Sequence, residues 1–147
     1  MGKDVSETPA TSTDTSQLQA LDEQGRRMTA NRLRALGYKA NTDGLSALQM
    51  LDLESRITAS NRLRRLGYEA KWQTQTVLEM LDIESRITAA NRLVKLGYPA
   101  NWRRETTLNM LDIESRITTA NRLRSKGVSV DWRSHTALEL LSLESGH

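Results

Sequence analysis

A thirteen-residue segment recurs along the chain at intervals of thirty residues. Its clearest copy, LDIESRITAANRL, covers 81–93, and close copies cover 51–63 and 111–123. A diverged copy covers 21–33, and a partial copy begins at Leu141. Repeats of this length build arrays in which each unit buries its apolar surface against its neighbours. The period therefore predicts a repeat protein.

This period divides the chain into a tail and one repeat domain. Residues 1–15 offer few groups that a core could bury, so we predict a disordered polar tail. Gly2 and Ser6 fit a short N-myristoylation pattern, but the pattern is common, and we favour a polar tail over a lipid anchor. The repeat domain covers 16–147. Its repeats are 21–50, 51–80, 81–110, 111–140 and the partial 141–147.

Each repeat carries signals for both ends of a helix. A hydroxyl residue precedes the apolar run and a Glu or Gln follows three residues later, as in a capping box. A glycine then stands where a left-handed residue closes a helix. The cap pairs are Ser16/Gln19, Ser46/Gln49, Thr76/Glu79, Thr106/Asn109 and Thr136/Glu139, of which Asn109 fits least well, and the glycines are Gly37, Gly67, Gly97 and Gly127. The predicted helices are 17–36, 47–66, 77–96, 107–126 and 137–145.

The predicted fold class is all-α. We expect an open array of four helices of about twenty residues and a short C-terminal helix, with one helix per repeat. The linkers carry a Tyr-x-Ala-x-Trp pattern, and Val128, Val130 and Trp132 alternate with the period of a strand. An α/β solenoid with short strands at these linkers is the alternative, although Pro99 argues against it.

The third helix has two apolar faces when residues are placed at about 100° intervals. A helix that is apolar on two sides has neighbours on both, so we expect the second face to look back and the first to look forward. The first helix carries Glu23 and Arg27 on its second face, as expected for a terminal repeat. The first face consists of Leu78, Leu81, Leu93 and Leu96, and the second of Met80, Ile83, Ile87 and Ala90.

Three further columns of side chains recur. Asp and Arg four residues apart, as at Asp82 and Arg86, are interpreted as ion pairs. An Asn-Arg pair lies away from both apolar faces, and forms either a polar ladder between repeats or a row of contacts to an extended ligand. The linker tryptophans either close the apolar seams or anchor a ligand. The candidate ligand-binding residues are Asn31, Arg32, Asn61, Arg62, Asn91, Arg92, Asn121, Arg122, Trp72, Trp102 and Trp132.

The residue patterns of common enzymes and metal sites are missing from the sequence. There is no cysteine, His135 and His147 are the two histidines, and we find neither a phosphate-binding loop nor a nucleophile paired with a base. We therefore predict no catalytic activity, no metal and no cofactor. No apolar run approaches the length of a membrane span. The lack of cysteine is compatible with an intracellular, cytoplasmic protein.

Charge and architecture together favour a binding function. The chain has 21 basic and 18 acidic residues, for a net charge of +3. We expect a non-enzymatic helical-repeat module that binds a protein partner or acts as a scaffold. Nucleic-acid binding through the repeated arginines is the alternative, although the acidic residues of each repeat dilute that field. Self-assembly through the repeat seams is a second alternative, and the oligomeric state stays open.

Overall fold

The protein is all-helical, as predicted. The computed structural model describes the backbone of residues 2–146 and the side chains of residues 15–146. These residues contain no strand, so the alternative with strands at the linkers is not supported. A short 3-10 helix, Trp132–Ser134, precedes the last α-helix. The α-helices are α1 (Gly2–Ala35), α2 (Ala47–Arg65), α3 (Val77–Lys95), α4 (Thr107–Ser125) and α5 (Ala137–Ser145).

Helix α1 begins earlier than predicted. Ser16 was expected to cap its N-terminus, but the helix begins at Gly2 and includes Ser16. A capping residue permits a helix to start but does not stop a preceding turn from continuing, and residues 10–24 contain neither Gly nor Pro. The bounds of α1 thus include residues 2–15, and the division into a tail at 1–15 and a repeat domain at 16–147 stays a prediction. The side chains of residues 1–14, including the lipidation pattern at Gly2 and Ser6, lie outside the described part.

Helices α1 to α4 end at the predicted glycines. In α3, the amide of Gly97 donates to the carbonyl of Val94 at 3.0 Å, and the amide of Tyr98 donates to that of Leu93 at 2.9 Å. This is a Schellman motif, which needs a left-handed residue after the helix. It turns the chain back, so that Tyr98 packs against the core of the same unit. The four φ angles are 95° at Gly37, 89° at Gly67, 91° at Gly97 and 88° at Gly127.

The helix starts also follow the predicted capping pattern. At α5, the hydroxyl of Thr136 accepts from the amide of Glu139 at 3.1 Å, and the Glu139 carboxylate accepts from the amide of Thr136 at 2.7 Å. At α4, Thr106 accepts from the amide of Asn109 at 3.1 Å. The shorter side chain of Asn109 is the reason that this pair was expected to form an incomplete box.

The helices form two compact units. The first contains α1 and α2 (Met1–Arg64 and Glu69–Val77), and the second contains α3, α4 and α5 (Arg65–Tyr68 and Leu78–His147). In both units the C-terminal half of one helix packs against the N-terminal half of the next, so most of the Met and Ile residues of the predicted backward-looking face are buried as expected. Ala90 was assigned to that face but belongs instead to the core that α3 forms with the following helix, α4. The core residues are Ala30, Leu33, Met50 and Ile57 in the first unit, and Ala89, Ala90, Leu93, Met110, Ile113 and Ile117 in the second.

The predicted forward-looking face is only half buried. In α3, Leu93 is fully buried, whereas 79% of Leu78 and 37% of Leu81 are exposed. The prediction was therefore wrong for these two leucines. It treated each helix as covered along its whole length, but α4 covers only the C-terminal half of this face of α3, where Leu93 lies.

Candidate protein-interaction surface

Helices α3, α4 and α5 each present two leucines to solvent in their first two turns. The first of each pair is almost fully exposed, and the second, three residues later, is partly exposed. We call these six side chains the leucine row: Leu78 (79%), Leu108 (81%) and Leu138 (79%), with Leu81 (37%), Leu111 (40%) and Leu141 (40%). In the first unit, Leu48 and Leu51 hold the same positions in α2 and are 78% and 41% exposed.

Equivalent leucines of the second unit lie along one side because the same contact joins each helix to the next. Arg92 Nε of α3 lies 2.7 Å from Glu114 Oε2 of α4. Arg122 Nε of α4 lies 2.6 Å from Glu144 Oε2 of α5. Because one geometric step repeats, residues at the same repeat position follow one another in a line.

The first leucine of each pair has no evident role in the fold of the chain itself, because about four-fifths of its surface is exposed. Neighbouring positions on the first turn vary between repeats: residues 77, 107 and 137 are Val, Thr and Ala, and residues 79, 109 and 139 are Glu, Asn and Glu. The residue between these positions is Leu in all three helices, although its side chain is exposed to water. Exposed large apolar side chains that recur at one position of neighbouring helices are a candidate interaction site. Sequence reasoning missed this surface because it assigned the leucines to a buried face.

The arginines that were predicted to bind a ligand contact glutamates of the following helix. Arg32 Nε lies 2.6 Å from Glu54 Oε2, and its Nη2 lies 3.3 Å from Oε1. Arg92 and Arg122 bind Glu114 and Glu144 in the same bidentate way. Hydrogen bonding to the glutamate raises the pKa of each of these arginines. Similarly, Arg122 lowers the pKa of Glu144.

This geometry, which Arg32, Arg92 and Arg122 share, fits the polar-ladder interpretation. Their side chains stay about half exposed, at 48% for Arg32, 48% for Arg92 and 52% for Arg122. Arg62 holds the equivalent, exposed position in α2. A direct ligand-binding role for this column stays a prediction, since a ligand would have to compete with the glutamates.

The asparagines of the same column contact their own helices. Asn31 Oδ1 accepts from Arg34 Nη1 at 2.9 Å, and Asn61 Oδ1 accepts from Arg64 Nη1 at 3.3 Å. Asn121 accepts in the same way from Arg124 at 3.5 Å. Asn91 is exposed, and residue 94 is Val instead of Arg. Asn31, Asn61 and Asn121 thus each contact an exposed arginine of the last helical turn.

The linker tryptophans are half-buried and belong to the packing between linkers. Trp72 packs against the core of the first unit, and Trp102 and Trp132 pack against that of the second. Each is contacted edge-on by the tyrosine of the preceding linker, which is a favourable aromatic geometry. The centroid distances are 6.1 Å for Tyr38–Trp72, 5.6 Å for Tyr68–Trp102 and 6.0 Å for Tyr98–Trp132. This arrangement fits the interpretation that tryptophans close the seams.

The Asp-Arg column forms the predicted ion pairs in α2, α3 and α4. The shortest distances are 3.0 Å for Asp52–Arg56, 3.1 Å for Asp82–Arg86 and 2.8 Å for Asp112–Arg116. In α1, Arg26 Nη2 donates instead to the carbonyls of Asp43 and Leu45, each at 3.1 Å. The described residues hold no ion pair between Arg26 and Asp22, so the prediction is wrong for this repeat.

Comparisons with known proteins give no relative. No protein-family model matches the chain, and no curated protein or solved structure matches it significantly. Along the described residues, every helix is too short or too polar to cross a membrane. The same residues bring together no group of three His, Asp or Glu side chains that could hold a metal. The exposed leucines are thus the feature from which a function is best argued.

Proposed function

We propose that this chain is a non-enzymatic helical-repeat module that binds a protein partner through the leucine row. The observation that carries the proposal is the 79–81% exposure of Leu78, Leu108 and Leu138 at one repeat position. Rigid helices present these side chains in a line, and the apolar stripe of an amphipathic helix could bury several together. Each buried leucine would contribute about 1.5–3 kcal/mol.

Nucleic-acid binding is less well supported than protein binding. The carboxylates of Glu54, Glu114 and Glu144 compensate three arginines of the repeated column. A phosphate backbone would have to displace these glutamates before it could bind the guanidinium groups. In the second unit, Arg103 and Arg133 each lie 4.4 Å from the ring centre of the preceding tryptophan. They cover ring surface that a stacked base would need.

The test uses an 18-residue model peptide with leucines along one helical face and equal numbers of Lys and Glu on the other. A scrambled peptide has the same composition but no apolar face, so charge is matched between the two. We expect saturable binding of the amphipathic peptide to the full chain, measured by fluorescence anisotropy. Replacing Leu78, Leu108 and Leu138 together with Ser should weaken it at least about tenfold, since 1.4 kcal/mol is a factor of ten.

The matched control is Val94→Ser, which changes a single apolar residue, 56% exposed, outside the row. It should leave peptide affinity unchanged, and circular dichroism should show that both variants stay folded. Equal binding of the scrambled peptide, or undiminished binding to the triple variant, would rule out the row as the site. Strongly salt-dependent binding of duplex DNA would favour the nucleic-acid alternative. Association that depends on concentration and is lost in the triple variant would identify a second copy as partner.

A further inference from the structure

A cleft of about 540 Å³ opens in the first unit, between α1 and the linker that follows it. Arg26, Arg27 and Arg34 of α1 line it, and Thr42 and Asp43 of the linker lie across from them. Glu23 also lines the cleft. Cavities of this volume hold small-molecule ligands in many proteins. None of the residues that line this cleft belongs to the leucine row.

The cleft exists because the first repeat lacks apolar side chains at positions that the next repeat fills. Arg27 stands at the position of Ile57, and Thr42 stands at that of Trp72. Ile57 and Trp72 both belong to the packed core of the first unit. The charged residues Glu23 and Arg27 on this face of α1 would by themselves give the array a polar end. The simultaneous loss of the tryptophan is what leaves an open volume beside the arginines.

Two of the arginines are held in place by the protein. Arg26 Nη2 donates to the carbonyls of Asp43 and Leu45 at 3.1 Å, and Arg34 Nη1 donates to Asn31 Oδ1 at 2.9 Å. Arg26 Nε is buried and meets no hydrogen-bond acceptor among the described residues. The same nitrogen is buried without a hydrogen bond in Arg56 and Arg86, so this burial is common to the repeats and does not by itself mark a site.

The equivalent atoms of later repeats already have an anionic neighbour. Arg56 Nε lies 3.0 Å from Asp52 Oδ2, and Arg86 Nε lies 3.1 Å from Asp82 Oδ2. Among the described contacts, Arg26 alone of these three lacks such a carboxylate. The first repeat thus combines an open cleft, two positioned guanidinium groups and an Arg26 side chain without a carboxylate partner among the described residues.

We propose that this cleft binds a small molecule through a phosphate or carboxylate group. The oxygens of that group would accept from the guanidinium groups of Arg26, Arg27 and Arg34, which line the cleft, because arginine donors match the geometry of such anions. Glu23 and Asp43 line the same cleft, and neither forms an ion pair with a described residue. The cleft is lined by three arginines and two carboxylates. Because the positive charge exceeds the negative charge by only one, the cleft favours a ligand with one anionic group over a polyanion.

The test follows the side-chain Nε–H signals of arginines by NMR while inorganic phosphate or acetate is added at constant ionic strength. We expect saturable shifts for Arg26 and Arg34, with dissociation constants on the order of 1 mM for probes of so few atoms. The signals of Arg56 and Arg64, at equivalent positions in α2, should stay nearly unchanged. Linear, equal shifts of all four signals would mean that only a diffuse ion atmosphere is present and would overturn the proposal.

Variants separate binding from folding. Arg27→Gln and Arg34→Gln should each weaken binding of the better probe at least about fivefold, as expected when one charge-assisted hydrogen bond is lost. Arg64→Gln is the matched control, since Arg64 has the same contact to its asparagine as Arg34 and lies outside the cleft. It should leave the affinity unchanged. Affinity that survives in both folded cleft variants would refute the site, whatever the result for the leucine row.

Discussion

Helices α1 and α4 show which half of the repeat can change. Both bury the same leucine of the forward-looking face completely, Leu33 in α1 and Leu123 in α4. Their backward-looking faces differ, because α4 has a buried Ile117 where α1 has the exposed Arg27. The linker after α4 carries Trp132, whereas the linker after α1 carries Thr42.

This difference shows that the two faces are under different packing requirements. Within each unit, a forward-looking face is needed wherever a helix follows, so Leu33 and Leu123 are both kept. The backward-looking face of α4 must be apolar because α3 covers it. On the same face of α1, the charged side chain of Arg27 costs little free energy because it stays solvated. Two of the following variants place a residue of the first repeat in the second unit, and a third removes a contact between neighbouring helices.

The largest effect is expected when Ile117 is replaced by Arg, the residue of the first repeat. This change puts a guanidinium against Ala89, Ala90 and Leu93, with which Ile117 now shares a core. We expect the free energy of unfolding to fall by about 4 kcal/mol or more, because a buried unpaired charge is among the costliest changes. Urea denaturation measures this loss.

Leu108→Arg is the control for this variant, since it introduces the same side chain at a position 81% exposed. It should change the free energy of unfolding by less than about 0.5 kcal/mol. If Ile117→Arg costs no more than this control, the face is not buried in solution and the comparison of α1 with α4 fails.

A smaller effect is expected when Trp132 is replaced by Thr, the residue of the first linker. The variant loses the edge-on contact with Tyr98 at 6.0 Å and part of the seam packing. We expect a loss of about 1–3 kcal/mol, because Trp132 is only half-buried. Burial raises the pKa of Tyr98, with the hydrogen bond to Glu105 adding to it. The pKa of Tyr98 should therefore fall toward its ordinary value in the variant.

Alkaline titration followed by ultraviolet absorbance measures the second effect. The chain has three tyrosines, so the Tyr98→Phe variant is needed to assign the signal. A Tyr98 pKa that does not change in Trp132→Thr would mean that the tryptophan does not shield this hydroxyl.

The smallest effect is expected for Arg122→Gln, which removes one step of the arginine–glutamate ladder. The melting temperature should fall by a few degrees at neutral pH, because half-exposed ion pairs are weak. Arg122 lowers the pKa of Glu144, so the pair stabilises the fold above the ordinary glutamate pKa of about 4.3. This contribution is lost as the pH falls through the lower pKa of the folded state.

Wild type and the Arg122→Gln variant should therefore differ at pH 7 and converge in strongly acidic solution. Calorimetry at both pH values tests this. A difference that persists in acid would show that the arginine acts by packing or by its hydrogen bond to Thr119 at 3.2 Å, and not by charge.

The local features of the fold were predictable because each depends on a few neighbouring residues. The glycine at position 97 closes α3 as expected, and Thr136 with Glu139 forms the expected box at α5. The all-α class followed from these signals together with the apolar spacing. Ser16 was misread because a cap is defined by where the preceding backbone leaves the helix, and the cap residue does not decide that alone.

The candidate surfaces were less predictable. Arg92 was a candidate both for ligand binding and for a polar ladder between repeats. Which interpretation fits depends on whether the Glu114 carboxylate lies close to the arginine. These two residues are 22 positions apart in the chain, so only the packed structure shows their contact. Leu78 and Leu93 were assigned to the same apolar face, and both were expected to be buried. The invariance of Leu78 beside the variable residues 77 and 79 was the signal that could have separated them.

The sequence by itself determined the repeat length, the helix ends in α2 to α5, and the apolar identity of both faces, since these are properties of short segments. Tertiary structure decided how much of each face is covered. Leu93 is buried and Leu78 is exposed because α4 overlaps only the C-terminal half of α3 on that side. The extent of overlap is a property of packed pairs of helices, and it cannot be predicted from the spacing of apolar residues within one helix.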